Sequence, residues 1–277
     1  MPNNSNNSNN SNNSNNSNNK PYPHICKAFG VYETNCYIVQ TPRGELVIDP
    51  GIGSSEWVLA NVKNPLAILI THGHFDHIFD TAKLHENLKS TPIYCPSEDA
   101  FMMKSDCFDT GLTPCPPSVE VPCNRGREDF SIDGICFSYL HFPGHTPGCS
   151  IVCVWGDSTQ SELSNQAQKP LQNNPQNNAQ NQNPTTCPKS KNARIYSGDF
   201  VFHRSIGRYD FPYSSQSDMA QSLRRFRDLD FALDLGLTLD EDELEEVGQI
   251  EIFPGHGESS ILAYEQRNVN LWLERMS

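Results

Sequence analysis

Thr71-His72-Gly73-His74-Phe75-Asp76-His77 follows the apolar run Leu66-Ala67-Ile68-Leu69-Ile70 and leads into Ile78, Ala82, Leu84 and Leu88 at helical spacing. Three imidazoles and a carboxylate between His72 and His77 have no use in a hydrophobic core, which takes apolar side chains. Histidine and carboxylate are instead ligand types for zinc, iron and manganese, and a loop at a strand end turns several of them toward one point. The stretch reads as a metal cradle between a buried strand and a helix.

Three further residues of ligand type stand in similar settings. His145 lies in Phe142-Pro143-Gly144-His145-Thr146-Pro147-Gly148, Asp199 ends Ile195-Tyr196-Ser197-Gly198-Asp199, and His256 lies in Ile252-Phe253-Pro254-Gly255-His256-Gly257. The runs before Asp199 and His256 read as strands, each closed by a glycine-containing turn. Glycine there permits the close backbone approach that a crowded centre needs.

Taken in order, His72, His74, Asp76, His77, His145, Asp199 and His256 resemble the ligand positions of metallo-β-lactamase-fold hydrolases, and within that superfamily the glyoxalase II-like group. The resemblance runs from about Asn35 to about Leu271. Ser205-Ile206-Gly207-Arg208-Tyr209-Asp210-Phe211-Pro212 is similar to the SIGRTDFP-type stretch of short glyoxalase II-like proteins, with Tyr209 where threonine is usual. The resemblance implies an α/β (α+β) fold, an αββα sandwich with a dinuclear metal site at one edge. Periodicity by itself reaches only mixed α and β.

The resemblance further implies two divalent metal ions, Zn2+ first, with Fe or Mn as alternatives. His72, His74 and His145 would hold one ion, Asp76, His77 and His256 the other, and Asp199 would bridge them. Asp76 and Asp199 would act catalytically through a hydroxide shared by the ions. The implied reaction is hydrolysis of a thioester or ester, in particular a hydroxyacylglutathione such as S-lactoylglutathione. Arg208 and Tyr209 are the candidate substrate contacts, with pairing of Arg208 to Asp210 as the other reading. The rival within the superfamily is a glutathione persulfide dioxygenase with one iron on His72, His145 and Asp199; a lactonase or β-lactamase also belongs to the fold. From another class, a non-catalytic metal-binding or assembly protein would use its Asn/Gln tracts to self-associate.

Charge and composition narrow the partners. A net charge of -13 over 277 residues argues against nucleic acid and against an anionic membrane surface. No apolar run approaches the roughly 18 residues of a membrane span, and the N-terminus lacks the basic and apolar regions of a secretory signal. The expectation is a cytoplasmic enzyme whose partner is a small thioester. The 10 cysteines show no CxxC spacing and read as reduced; Cys149 and Cys153 read as core residues.

Residues 1–20 repeat Asn-Asn-Ser and offer no apolar face, so they are expected to be a disordered tail before a single domain over 21–277. An Asn/Gln-rich insertion over 157–192, holding Cys187 as a free thiol, and an acidic insert at about 236–248 are expected to interrupt it. Asp49 ends a strand and serves either a plain turn or support of the metal loops; His141 offers the same choice between loop and support. His85 lies outside the motif. Helices are expected after a Ser54-Ser55 cap, over Met219 to Phe231 and over Ile261 to Met276, and Cys107 to Arg127 reads as a long surface loop.

Overall fold

The computed structural model describes residues 21–124, 126–156, 193–229 and 250–276. The expectations for the tail, the insertion over 157–192 with Cys187, and the acidic insert lie outside the described residues. The first sheet runs β1 (His24–Phe29), β2 (Thr34–Thr41), β3 (Gly44–Ile48), β4 (Pro65–Leu69), β5 (Ile93–Pro96) and β6 (Val119–Val121) in spatial as in chain order. The second is built from β7 (Arg127–Ile132), β8 (Ile135–His141), β9 (Ser150–Trp155) and β10 (Ala193–Gly198). A ribbon of β11 (Val201–Phe202) and β12 (Ser205–Ile206) follows, and β13 (Glu251–Pro254) and β14 (Ser260–Ile261) complete the second sheet in the order β14-β13-β10-β9-β8-β7.

Side chains alternate across a strand, and here both faces of both sheets are covered. On β2, Cys36 and Ile38 pack with Val58 and Leu84 of the helices α1 (Ser55–Asn61) and α3 (Thr81–Asn87), while Tyr37 and Val39 face the other sheet at Phe137, Val152 and Tyr196. On β9, Val152 and Val154 join that inter-sheet core. Ile151, Cys153 and Trp155 pack outward on Met219, Leu223, Phe226 and Trp272. Those residues belong to two long helices, α5 (Gln216–Asp228) and α6 (Leu262–Arg275). The short helices α2 (Phe75–Ile78) and α4 (Ala100–Lys104) are the remaining α-helices among the described residues, giving helix, sheet, sheet, helix layers. Strands buried on both faces read as continuous apolar runs, as Ser150–Trp155 does with every residue buried.

Two local expectations are revised. Ser54 makes no side-chain cap bond; Asp80 Oδ2 instead accepts the Ser55 N–H at 2.7 Å. Ser215 caps α5 by accepting the Asp218 N–H at 3.2 Å. The segment read as a surface loop from Cys107 contains β6 and the buried residues Leu112, Cys115 and Cys123; isolated apolar residues anchor it without a detectable period. No helix among the described residues is long and apolar enough to cross a membrane.

The strand directions assemble the site. β3 and β4 run parallel, as do β10 and β13, so Asp49, the His72 loop, Asp199 and His256 all leave carboxyl ends on one edge. Asn35 joins the sheets there: its N–H donates to Gly255 O at 2.7 Å, and its Nδ2 donates to Pro254 O and Gly257 O at 3.1 and 2.9 Å.

Candidate metal centre

The edge gathers all seven candidate ligands. His72, His74 and His145 present ring nitrogens within 4.8 Å of one another, and so do Asp76, His77 and His256 with their ligand atoms. Asp199 lies between the two groups: Oδ1 is 3.2 Å from His77 Nε2, and Oδ2 is 3.5 Å from His145 Nε2 and 3.3 Å from His256 Nε2. Gly255 and Gly207 make that position possible. A Cβ on Gly255 would stand 2.2 Å from Asp199 Oδ1, and one on Gly207 would stand 1.7 Å from Asp199 O.

The outer nitrogens select the tautomers. Thr71 donates from N and Oγ1 to Asp49 at 2.8 and 2.6 Å, so its oxygen is left to accept from His72 Nδ1 at 3.1 Å. His77 Nδ1 donates to Asp49 Oδ2 at 3.0 Å, His145 Nδ1 to Arg208 O at 2.7 Å, and His256 Nδ1 to Tyr32 O at 2.9 Å. Each bond puts the proton on Nδ1 and turns an Nε2 lone pair into the cluster, an arrangement typical of metal-ligating histidine. His74 turns Nδ1 inward instead, 2.8 Å from His145 Nε2.

A metal fits this set on two observations. His72 Nε2 is buried with no hydrogen-bond partner, and a buried polar atom left unpaired costs roughly 1–3 kcal/mol. The donors are imidazole and carboxylate only, suited to zinc, iron or manganese. Burial, then the neighbouring His77, holds His72 well below the ordinary imidazole range, and burial with His145 lowers His74 to about 3; both stay neutral. Burial opposes charge on His77 and His256 too, but Asp76 and Asp199 outweigh it, raising His77 well above the ordinary range and His256 to about 9. Burial likewise disfavours the Asp76 carboxylate, yet His77 and His256 bring it down to about 2. Without metal the second group therefore holds protons where a cation would sit, and metal uptake must release them.

Other sequence expectations resolve by position. Asp49 supports the metal loops through Thr71 and His77. His141 Nε2 bonds to Pro147 O at 2.8 Å, bracing the His145 loop without facing the cluster. Arg208 pairs with Asp210 through two 2.9 Å bonds and lies over the Phe211 ring at 4.3 Å; only its carbonyl meets a candidate ligand. Tyr209 packs against the outer core of the second sheet.

Asp99 is the residue the sequence concealed. Fully buried, it accepts from Gly73 N at 2.8 Å, Thr146 Oγ1 at 2.6 Å and Gly148 N at 2.6 Å, clamping the His72 and His145 loops together. Burial pushes its carboxyl up to about 6 against those three bonds. Thr34 was also unsignalled; its Oγ1 donates to Asp76 Oδ2 at 2.8 Å. An aromatic wall borders the first group, with Phe108 5.5 Å from His74 and Phe211 5.9 Å from it. Phe108, a single aromatic in a proline-rich loop, carries no pattern that marks it as a site residue, whereas Phe211 lies within the Ser205–Pro212 stretch.

Two helix-covered sheets with a bridged histidine and aspartate cluster at one edge define a di-metal-binding fold. Residues 29–160 match the model of the metallo-beta-lactamase superfamily, a class of metal-dependent hydrolases. The chain is 27% identical over 263 residues to an uncharacterized protein of Mycobacterium tuberculosis, covering 90% of this chain and 96% of the relative. It is 23% identical over 250 residues to hydroxyacylglutathione hydrolase GloC of Haemophilus influenzae, covering 86% of this chain and 92% of GloC. Among solved structures, TTHA1623 in a di-iron-bound form is 25% identical with a TM-score of 0.56, covering 88% of this chain and 97% of that one.

Proposed function

We propose that the protein hydrolyses a glutathione thioester, a hydroxyacylglutathione such as S-lactoylglutathione, with two divalent metal ions at the edge cluster. The observation that carries the reading is the position of Asp199, whose carboxylate lies 3.2 to 3.5 Å from His77, His145 and His256 and so joins two complete ligand groups. Likeness to GloC adds the substrate class. The one-iron dioxygenase reading keeps the same seven residues, so ligand count does not separate the two; persulfide-dependent oxygen uptake does.

In this reading His72, His74 and His145 hold one ion, Asp76, His77 and His256 the other, and Asp199 both. Bound there, zinc, iron or manganese would lower the pKa of water from about 15.7 to roughly 7 and polarise a carbonyl. The chain's residues do the rest. Asp49, Thr71, Tyr32 O and Arg208 O hold each imidazole in the tautomer that faces inward, and Thr34 orients the Asp76 carboxylate. Phe108 and Phe211 border the first group with apolar surface. A thioester suits such a site, because a thiolate leaves without needing a strong acid.

The test is metal content measured alongside S-lactoylglutathione hydrolysis, with His74→Ala as control. About two metals per chain and turnover lost in the variant are expected. One iron per chain, no thioester turnover and persulfide-dependent oxygen uptake would replace this reading with the dioxygenase.

A further inference from the structure

We infer that Arg204 and Glu258 form a recognition site for the zwitterionic amino-acid end of the substrate's thiol carrier, Arg204 taking a carboxylate and Glu258 an ammonium group. The inference rests on the thioester hydrolase reading and names what selects its carrier.

Arg204 occupies a left-handed backbone position that glycine fills most easily. It is the second residue of the two-residue turn between β11 and β12, where Phe202 pairs with Ser205. Its φ is 58°, a left-handed conformation that costs a bulky residue on the order of 1 kcal/mol and that glycine adopts freely. The fold holds the strained tip in place: the Arg204 N–H donates to Glu265 Oε1 at 3.0 Å, and Glu265 is fully buried on α6, where it also accepts from Ser260 Oγ. A long cation is thus fixed at a spot where it is locally unfavourable, which suits a functional side chain better than a structural one.

Its surroundings say what that cation meets. Arg204, His203 and Phe202 line a groove of about 460 Å³ with His256, Gly257 and Glu258, so the groove opens beside a candidate metal ligand. The guanidinium lies over the Tyr264 ring at 5.6 Å, a contact that leaves its charge in place. Among the described residues it has no ion pair, whereas Arg208 and Arg194 reach Asp210 and Glu251. Glu258 is 79% exposed and 3.0 Å from His203 Nδ1, leaving carboxylate surface open to solvent. Opposite charges in one groove match a group carrying both charges, as the γ-glutamyl end of glutathione does. A simple anion would use Arg204 and be repelled by Glu258.

The experiment compares S-lactoylglutathione with the S-lactoyl thioester of N-acetylcysteamine, which has no charged end, on the metal-loaded wild type, Arg204→Gly and Arg204→Lys. In Arg204→Gly the KM for S-lactoylglutathione should rise about tenfold, as loss of one exposed charge-assisted contact implies. The KM for the neutral thioester should move less than about twofold, and Tm should not fall, since glycine relieves the turn. Arg204→Lys should recover most of the discrimination. Equal KM changes for both thioesters, or none for either, would overturn the assignment. So would a coenzyme A thioester, with phosphates in place of the amino-acid end, that proves equally sensitive to Arg204→Gly. Calorimetric binding of S-methylglutathione separates the two readings: binding that weakens in Arg204→Gly without any thioester turnover sinks the hydrolase reading and keeps the groove. Turnover with unchanged binding does the reverse.

Discussion

A single imidazole shows how much of this centre is electrostatic. His256 gains Asp199 and Asp76 as neighbours, and its raised pKa of about 9 is a stability statement. A group raised above its unfolded value near 6.5 contributes fully below that pH and loses the contribution as pH climbs through 9. Chelator-treated protein should therefore lose up to about 3 kcal/mol of unfolding free energy between those limits, and His256→Ala should flatten the profile. Denaturant titrations at several pH values give the comparison; a metal-free profile that rises with pH would contradict the assigned protonation. Asp99 offers a second case. Asparagine in its place keeps the shape but turns an N–H group toward the donors Gly73 N or Gly148 N. Asp99→Asn should cost about 1–3 kcal/mol for the polar atoms left unpaired and weaken metal binding roughly 10- to 100-fold. Competition with a chromogenic chelator reads the second effect.

At the scale of elements, α5 carries the outer layer of the second sheet and braces the site. Met219, Leu223 and Phe226 are fully buried against β9 and β10, and the loop entering the helix ties to the His145 loop through Ser215 N–H to Gly144 O at 2.8 Å. Ser215→Ala should cost about 1 kcal/mol through loss of the cap, and Phe226→Ala about 3–5 kcal/mol through the cavity it leaves beside Phe142 and Phe200. Urea unfolding of both variants orders the two. A larger loss at the cap would mean that the helix is held by its end and not by its apolar face.

For the whole molecule, the connection between β9 and β10 tests how independent the sandwich is of its longest interruption. Trp155 and Ala193 stand opposite each other in the antiparallel pair, so a short turn can span them. Replacing 157–192 with a four-residue turn shortens the closed loop and should add about 2 kcal/mol of stability, with thioester turnover unchanged. Lost turnover in a folded variant would assign the segment a role in catalysis. The two sheets meet at the site edge through Asn35, and Tyr37 reaches Pro254 O at 2.6 Å, so metal bound there stabilises the packing of the two halves. Chelation should lower Tm, and excess metal should restore it.

The seven candidate ligands were legible in the chain because each sits in a short local signature: a contiguous histidine run, or a strand closed by a glycine turn. The continuous apolar runs Cys36 to Val39 and Ile151 to Trp155 are those of strands buried on both faces, although periodicity without the family resemblance could not count the layers. What the sequence by itself determined was therefore the chemistry of the donor set and the kind of element carrying each donor. Tertiary structure alone decided the rest. Asp99 meets partners 26, 47 and 49 residues away, and Arg204 gains meaning only where its hairpin comes beside His256. The imidazole tautomers depend on backbone carbonyls as distant in sequence as Tyr32 is from His256. Contacts between remote segments leave no local pattern, since their energy comes from burial and hydrogen bonding that exist only once the two sheets have packed.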